Sequence, residues 1–169
     1  KRGMLLENLI EITNQIYRNK GLAVVDKTPT PWNVHFDKKR KRVIRAFPEK
    51  KGTVDFIGIS QGKGIAFDAK STKEEKRFDL KNVQPHQVSY LLDFQKQGGI
   101  SFFIVMFEKY NEIYYLPINK FMYWWEGQFE GGRKSIPYDW FKNNLEQIRA
   151  KNGVPLDYLE HCFSLEISQ

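Results

Sequence analysis

The run ISFFIVMF, Ile100 to Phe107, constrains the fold more than any other part of the chain. All of it except Ser101 is apolar and it shows no alternation, which marks a strand buried on both faces. Such a strand lies inside a sheet with helices on either side. The run is far shorter than the roughly 20 apolar residues that span a bilayer. EIYYLPI follows after a turn at Tyr110 and Asn111 and reads as a neighbouring strand.

Helical periodicity surrounds this core. In LLENLIEITNQIYRN the stripe Leu5, Leu9, Ile12 and Ile16 is expected to face inward, with Leu6, Ile10 and Tyr17 beside it, and the helix is expected to end near Gly21. LAVVDK then reads as a short buried strand. A second helix is expected from Pro85 to Lys96, with Val88, Leu91, Leu92 and Gln95 inward and Gly98 and Gly99 ending it. FMYWWEG and PYDWFKNNLEQIRAK also look helical, with GQFEGGRKS as a loop between them. The order of elements is that of a mixed α/β layer fold.

The chain carries a net charge of +7, which favours an anionic partner. Most of that excess lies in one segment. Between Phe36 and Gly52 stand Lys38, Lys39, Arg40, Lys41, Arg42, Arg45, Lys50 and Lys51 against Asp37 and Glu49. The stretch from about 28 to 52 fits neither periodicity well and is longer than an ordinary connection, the mark of a functional insertion. Its cations suit phosphates. Trp32, Phe36 and Phe47, interleaved with them, suit unpaired bases or packing at the base of the insertion. The single cysteine, Cys162, rules out an intrachain disulfide and points to a reducing compartment. His35, His86 and His161 form no paired zinc motif.

TVDFIGIS and GIAFDAK read as a hairpin. Closing it between Gln61 and Gly62 sets Asp55 directly across from Asp68. Alternation along the second strand places Asp68 and Lys70 on one face. Opposed carboxylates cost stability unless something offsets them. A hydrated Mg²⁺ ion does so, because it takes one or two carboxylates and keeps waters for a phosphate to replace. Lys70 is then placed to stabilise charge on that phosphate. The same three residues also suit an exposed polar strand face with a local ion pair.

Asp55 with Asp68-Ala69-Lys70 looks like the PD-(D/E)xK nuclease motif, and the whole chain resembles the RecU family of Holliday-junction resolvases of bacteria and their phages. The landmarks are GMLLE with Asn14 in the first helix, KTPTP at Lys27 to Pro31, VDF-x-G at Val54 to Gly58, AFDAK at Ala66 to Lys70, HQ at His86 and Gln87, and GRKSI at Gly132 to Ile136. The resemblance implies one nuclease domain over residues 1–169, restriction-endonuclease-like, with a mixed central sheet flanked by helices and a projecting basic stalk. It implies metal ligands at Thr53, Asp55, Asp68 and Gln87, a transition-state lysine at Lys70, and Glu7 completing the site through a water. Asp68 stands where the family usually has Glu, and Val54 where the wider motif has Pro.

A homodimer acting on branched DNA with Mg²⁺, Mn²⁺ being able to substitute, is implied as well. So are recombinase proteins as further partners and a cytoplasmic setting away from membranes. Two rival functions fit the same residues: a nuclease acting on linear duplex, and a non-catalytic DNA-binding recombination factor.

Overall fold

The computed structural model describes residues 4–29, 32–48 and 53–164. Helix α1 (Met4–Asn19) closes with Gly21 in the left-handed region at φ +70°. The Leu22 N–H donates to the Tyr17 carbonyl at 2.9 Å and the Gly21 N–H to that of Arg18 at 3.0 Å. This is a Schellman closure, which glycine permits because it lacks a Cβ.

The chain then enters strand β1 (Val24–Lys27), continues through β2 (Trp32–Asp37) and β3 (Arg42–Pro48), and reaches the hairpin β4 (Phe56–Ser60) and β5 (Lys63–Thr72). A crossover through β6 (Arg77–Asp79) and α2 (Pro85–Lys96) leads to β7 (Ile100–Phe107) and β8 (Glu112–Pro117). Helix α3 (Ile118–Gly127), strand β9 (Ser135–Pro137), α4 (Tyr138–Asn144) and α5 (Leu159–Ser164) complete the order.

The central sheet has five strands in the order β1-β4-β5-β7-β8. The β5–β7 pair is parallel and the others are antiparallel, so the sheet is mixed. Strand β7 is buried from Ser101 to Phe107, as its unbroken apolar run requires. One face of the sheet packs Phe67, Phe102 and Ile104 against Leu6, Ile10 and Tyr17 of α1 and against Tyr158. The other packs Ala66, Phe103 and Val105 against Val88 and Leu91 of α2, Phe121 of α3 and Phe141 of α4. No helix among the described residues is long and apolar enough to cross a membrane.

Several expectations are corrected. Helix α1 buries Leu6, Ile10, Thr13 and Tyr17, while Leu5 is 59% and Ile12 54% exposed. Both stripes are apolar, and only docking on the sheet chooses between them. Strand β1 is an edge strand in which only Val25 is buried. It lies so close to β4 that a Cβ on Gly58 would stand 2.0 Å from the Val24 carbonyl oxygen. In α2 only Val88 and Leu91 are buried, and Gln95 is exposed.

The fourth predicted helix, PYDWFKNNLEQIRAK, stops at Asn144. Beyond it the chain is extended, with the Ile148 N–H donating to the Ile113 carbonyl at 2.7 Å. The open edge of β8 thereby gains a partner, a tertiary demand that outweighs local helix propensity. The basic segment, read without regular structure, holds the antiparallel ribbon β2–β3. Its tip is organised by Asp37, whose carboxylate accepts the N–H groups of Lys39 at 2.9 Å and Arg40 at 3.1 Å.

Candidate active site

Hairpin β4–β5 has the register that its turn length requires, with Phe56 across from Phe67 and Ile57 across from Ala66. One step further out, Asp55 meets Asp68. The Asp55 N–H donates to Asp68 Oδ1 at 3.0 Å, and Asp55 Oδ2 accepts the Ala69 N–H at 3.2 Å. Each carboxylate is therefore fixed by the other's strand.

Asp68 is fully buried. Its Oδ2 takes the Lys70 ammonium at 2.9 Å and the Gln87 amide N–H at 3.2 Å. Parity along β5 explains the first contact. The second needs α2, whose N-terminal turn is held by a capping box in which the Gln84 N–H donates to Gln87 Oε1 at 3.0 Å. Gln87 thus spans from its helix cap to the carboxylate, and its oxygen is engaged by the cap.

Burial pushes Asp55 up to about 7, and the neighbouring Asp68 charge adds to the shift. Near neutral pH the pair resists carrying two negative charges without a cation.

Among the described residues no three of His, Cys, Asp and Glu converge. Two carboxylates supplemented by neutral oxygens and water are what Mg²⁺ accepts, so the residues fit that ion. Thr53 is exposed two residues before Asp55, and its hydroxyl turns to the Val54 carbonyl at 3.5 Å. Glu7 does not join the pair; its carboxylate is bound by Lys27 Nζ at 2.8 Å.

Lys27, which opens KTPTP, is given no role by the sequence pattern. Its hydrogen bond with Glu7, then the charges of Glu7, Glu11 and Asp55, hold its ammonium above the ordinary lysine range. It therefore links α1 electrostatically to the acidic pair.

On the ribbon, Arg45 lies over the Phe47 ring at 5.2 Å, and His35 stacks on the same ring at 6.0 Å. Lys38 to Lys41 form the exposed turn, with Arg42 beginning β3. Trp32 and Phe36 lie on the opposite face from Arg45. Lys50 and Lys51 fall outside the described residues.

A mixed sheet whose central hairpin carries an Asp–Asp–Lys set matches the arrangement that the sequence pattern leads one to expect. A family model described as Recombination protein U matches residues 1–163. The chain belongs to this RecU family. Proteins named Holliday junction resolvase RecU resemble it across most of both sequences. The one from Oceanobacillus iheyensis is 38% identical over 94% of this chain and 83% of its own length. That from Bacillus pumilus is 41% identical over 99% and 82%. Among solved structures, Archaeoglobus fulgidus Hjc, titled a Holliday junction resolvase, aligns with a TM-score of 0.46 and 13% identity over 88% of this chain and 93% of its own.

Proposed function

We propose that this chain is a Holliday-junction resolvase, a divalent-metal-dependent endonuclease that nicks four-way DNA junctions during recombination and repair. The observation that carries the catalytic part is the interlocked Asp55 and Asp68 with Lys70 at 2.9 Å from Asp68. The junction as substrate is supported by the relatives named Holliday junction resolvase RecU.

Asp55 and Asp68 would hold the cation, with Thr53 and, once its oxygen is released from the cap, Gln87 as neutral oxygen donors, and with Glu7 contributing from α1 through a water. When bound, Mg²⁺, for which Mn²⁺ can substitute, supplies Lewis-acid activation of water and neutralises charge at the phosphate. Lys70 faces the same site and stabilises the extra negative charge of the transition state. Water attacks phosphorus in line; the new P–O bond forms as the bond to the 3′ oxygen breaks, the attacking water gives up a proton to solvent and the departing oxygen takes one up, leaving 5′-phosphate and 3′-hydroxyl ends. Gln87 keeps Asp68 in place while the charge on the pair changes.

The ribbon's turn, with Arg42 and Arg45, grips phosphates near the branch point, and Lys50 and Lys51 add to the cations available for them. A homodimer suits the reaction, because a junction is close to two-fold symmetric and two strands of like polarity are cut. Recombinase proteins and a cytoplasmic setting complete this reading, in which residues 1–169 act as one nuclease domain.

The test is cleavage of a synthetic four-way junction and of a linear duplex of the same sequence. Mg²⁺ should support cleavage of the junction in preference to the duplex, and Ca²⁺ should support binding alone. Asp55→Asn should bind the junction without cutting it. Equal cutting of the duplex would favour a duplex nuclease, and binding with no metal-dependent cutting by the unaltered chain would favour a non-catalytic factor.

A further inference from the structure

The GRKSI segment, Gly132 to Ile136, is joined to the acidic pair by a run of hydrogen bonds. The Lys134 carbonyl accepts the Leu80 N–H at 3.0 Å, beside the β6–β9 pairing of Asp79 with Ser135. Leu80 opens a 3₁₀ turn, Leu80–Asn82, which closes as the Val83 N–H donates to the Leu80 carbonyl at 3.0 Å. The next residue, Gln84, is capped by Gln87, whose amide reaches Asp68. At the other end Gly132 folds back on α3. Its N–H donates to the Gly127 carbonyl at 2.8 Å, so closely that a Cβ would stand 2.6 Å from that oxygen. The backbone that carries Lys81 and Lys134 is therefore held at a fixed offset from the Asp68 carboxylate.

These two lysines lie on the side of the sheet to which the acidic pair faces. Asp68 and Lys70 share strand parity with Ala66, which packs in the α2-side core together with Phe78, Leu80 and Ile136. Most neighbouring charge is already matched. On the crossover Asp79 takes Arg77 at 2.9 Å, Glu75 takes Lys109 at 2.5 Å, and Glu74 stands in sequence between Lys73 and Lys76. Arg133 donates to Ser135 Oγ at 3.3 Å and lines a hollow with Glu126 and Glu130, so its charge is met locally. Lys81 and Lys134 are exposed, and among the described residues neither has an ion-pair partner.

We propose that Lys81 and Lys134 clamp the backbone of a duplex arm beyond the cleaved phosphate and act as positioning residues for the cut. This rests on the resolvase reading above and adds the arm-side contact to it. The ribbon starts from the other carboxylate's strand, since the Thr28 N–H donates to the Asp55 carbonyl at 2.7 Å shortly before β2. The acidic pair is thus tied to the ribbon's root through Asp55 and to the two lysines through Asp68.

Three residues lead from Lys81 to Gln84, at most about 10 Å of chain. Phosphates of one strand advance about 3.4 Å per nucleotide along a duplex, so with the reach of the side chains added the clamp meets the backbone within about five nucleotides of the cut. Two neighbouring ammonium groups repel, and a phosphate between them offsets that cost. A constant spacing from Asp68 matters only to a ligand that also spans the cut, and a duplex arm does.

Phosphate ethylation interference on a four-way junction in Ca²⁺ reads this contact directly. With the unaltered chain, ethyl groups on arm phosphates within about five nucleotides of the cut should weaken binding. Lys81→Ala/Lys134→Ala should abolish that interference, keep the interference at the branch point, and flatten the slope of log affinity against log salt by up to about 1.8, which is about 0.9 for each contact. With Mg²⁺ the same variant should raise KM several-fold and change kcat less. Lys81→Arg/Lys134→Arg keeps both charges and should restore the interference, the slope and KM. Both side chains are exposed, so the urea midpoint of either variant should match that of the unaltered chain. An unchanged interference pattern and salt slope in the alanine variant overturns the clamp and leaves the resolvase reading standing. A loss that the arginine variant does not restore assigns the lysines to the fold and overturns the clamp as well. An unaltered chain with no junction preference and no Mg²⁺-dependent cutting removes the resolvase reading and the clamp together.

Discussion

Asp55 and Asp68 bind each other's strands: the Asp55 N–H donates to Asp68 Oδ1, while Asp55 Oδ2 accepts the N–H of Ala69, the residue after Asp68. Two like charges are thereby held together by backbone donors that cannot move away without opening the hairpin. The raised proton affinity of Asp55 follows from burial first and from the Asp68 charge second.

Stability should register that proton. The unfolded chain releases it near pH 4, the ordinary aspartate value of about 3.9, whereas the folded chain holds it to about 7. Between those values the folded state binds more protons, so metal-free stability falls as pH rises from about 4 to about 7 and stays low above that. Asp55→Asn should remove this dependence and gain on the order of a few kcal/mol at pH 8. Chemical denaturation of both proteins from pH 5 to pH 8 in EDTA checks it.

Metal binding should displace the same proton. Calorimetric titration with Mn²⁺ in buffers of different ionisation enthalpy should show proton release near pH 6 that fades by pH 8. Apparent affinity should fall by up to about tenfold for each pH unit below 7.

Lys70→Met keeps the aliphatic stem and removes the ammonium that faces Asp68. Junction cleavage should slow by roughly 10²–10³, the usual loss on removing one transition-state donor. Binding measured by anisotropy in Ca²⁺ should change little.

The two apolar stripes of α1 should respond differently to truncation. Leu6→Ala empties a fully buried position and should cost about 2–5 kcal/mol. Leu5→Ala, at a position 59% exposed, should stay within about 0.5 kcal/mol. Urea denaturation of the two variants gives the comparison.

At the ribbon's tip, Lys39→Ala and Arg40→Ala should each weaken junction binding. Each lost phosphate contact should flatten the slope of log affinity against log salt by about 0.9. A salt titration of binding in Ca²⁺ measures that slope.

Local chemistry was enough to place the acidic pair. A two-residue turn and period-two alternation set Asp55 against Asp68, and Asp68 beside Lys70, because side-chain direction in a hairpin depends only on nearby residues. The buried character of β7 was equally plain, since an unbroken apolar run has no polar face to offer water. The KTPTP, VDF-x-G and AFDAK landmarks also sufficed to recognise the family.

Other features depend on parts of the chain that are distant in sequence. Leu6 rather than Leu5 faces the core because α1 docks on the sheet through the stripe of Leu6, Ile10 and Tyr17, a choice its own periodicity does not encode. The segment after Asn144 gave up helix to cover the edge of β8. Gln87 reaches Asp68 because the crossover returns α2 to the strand it left. Glu7 is turned to Lys27 because β1 runs beside α1. In each case neighbouring residues allowed more than one arrangement, and long-range packing selected the one that buries apolar surface and leaves backbone donors paired.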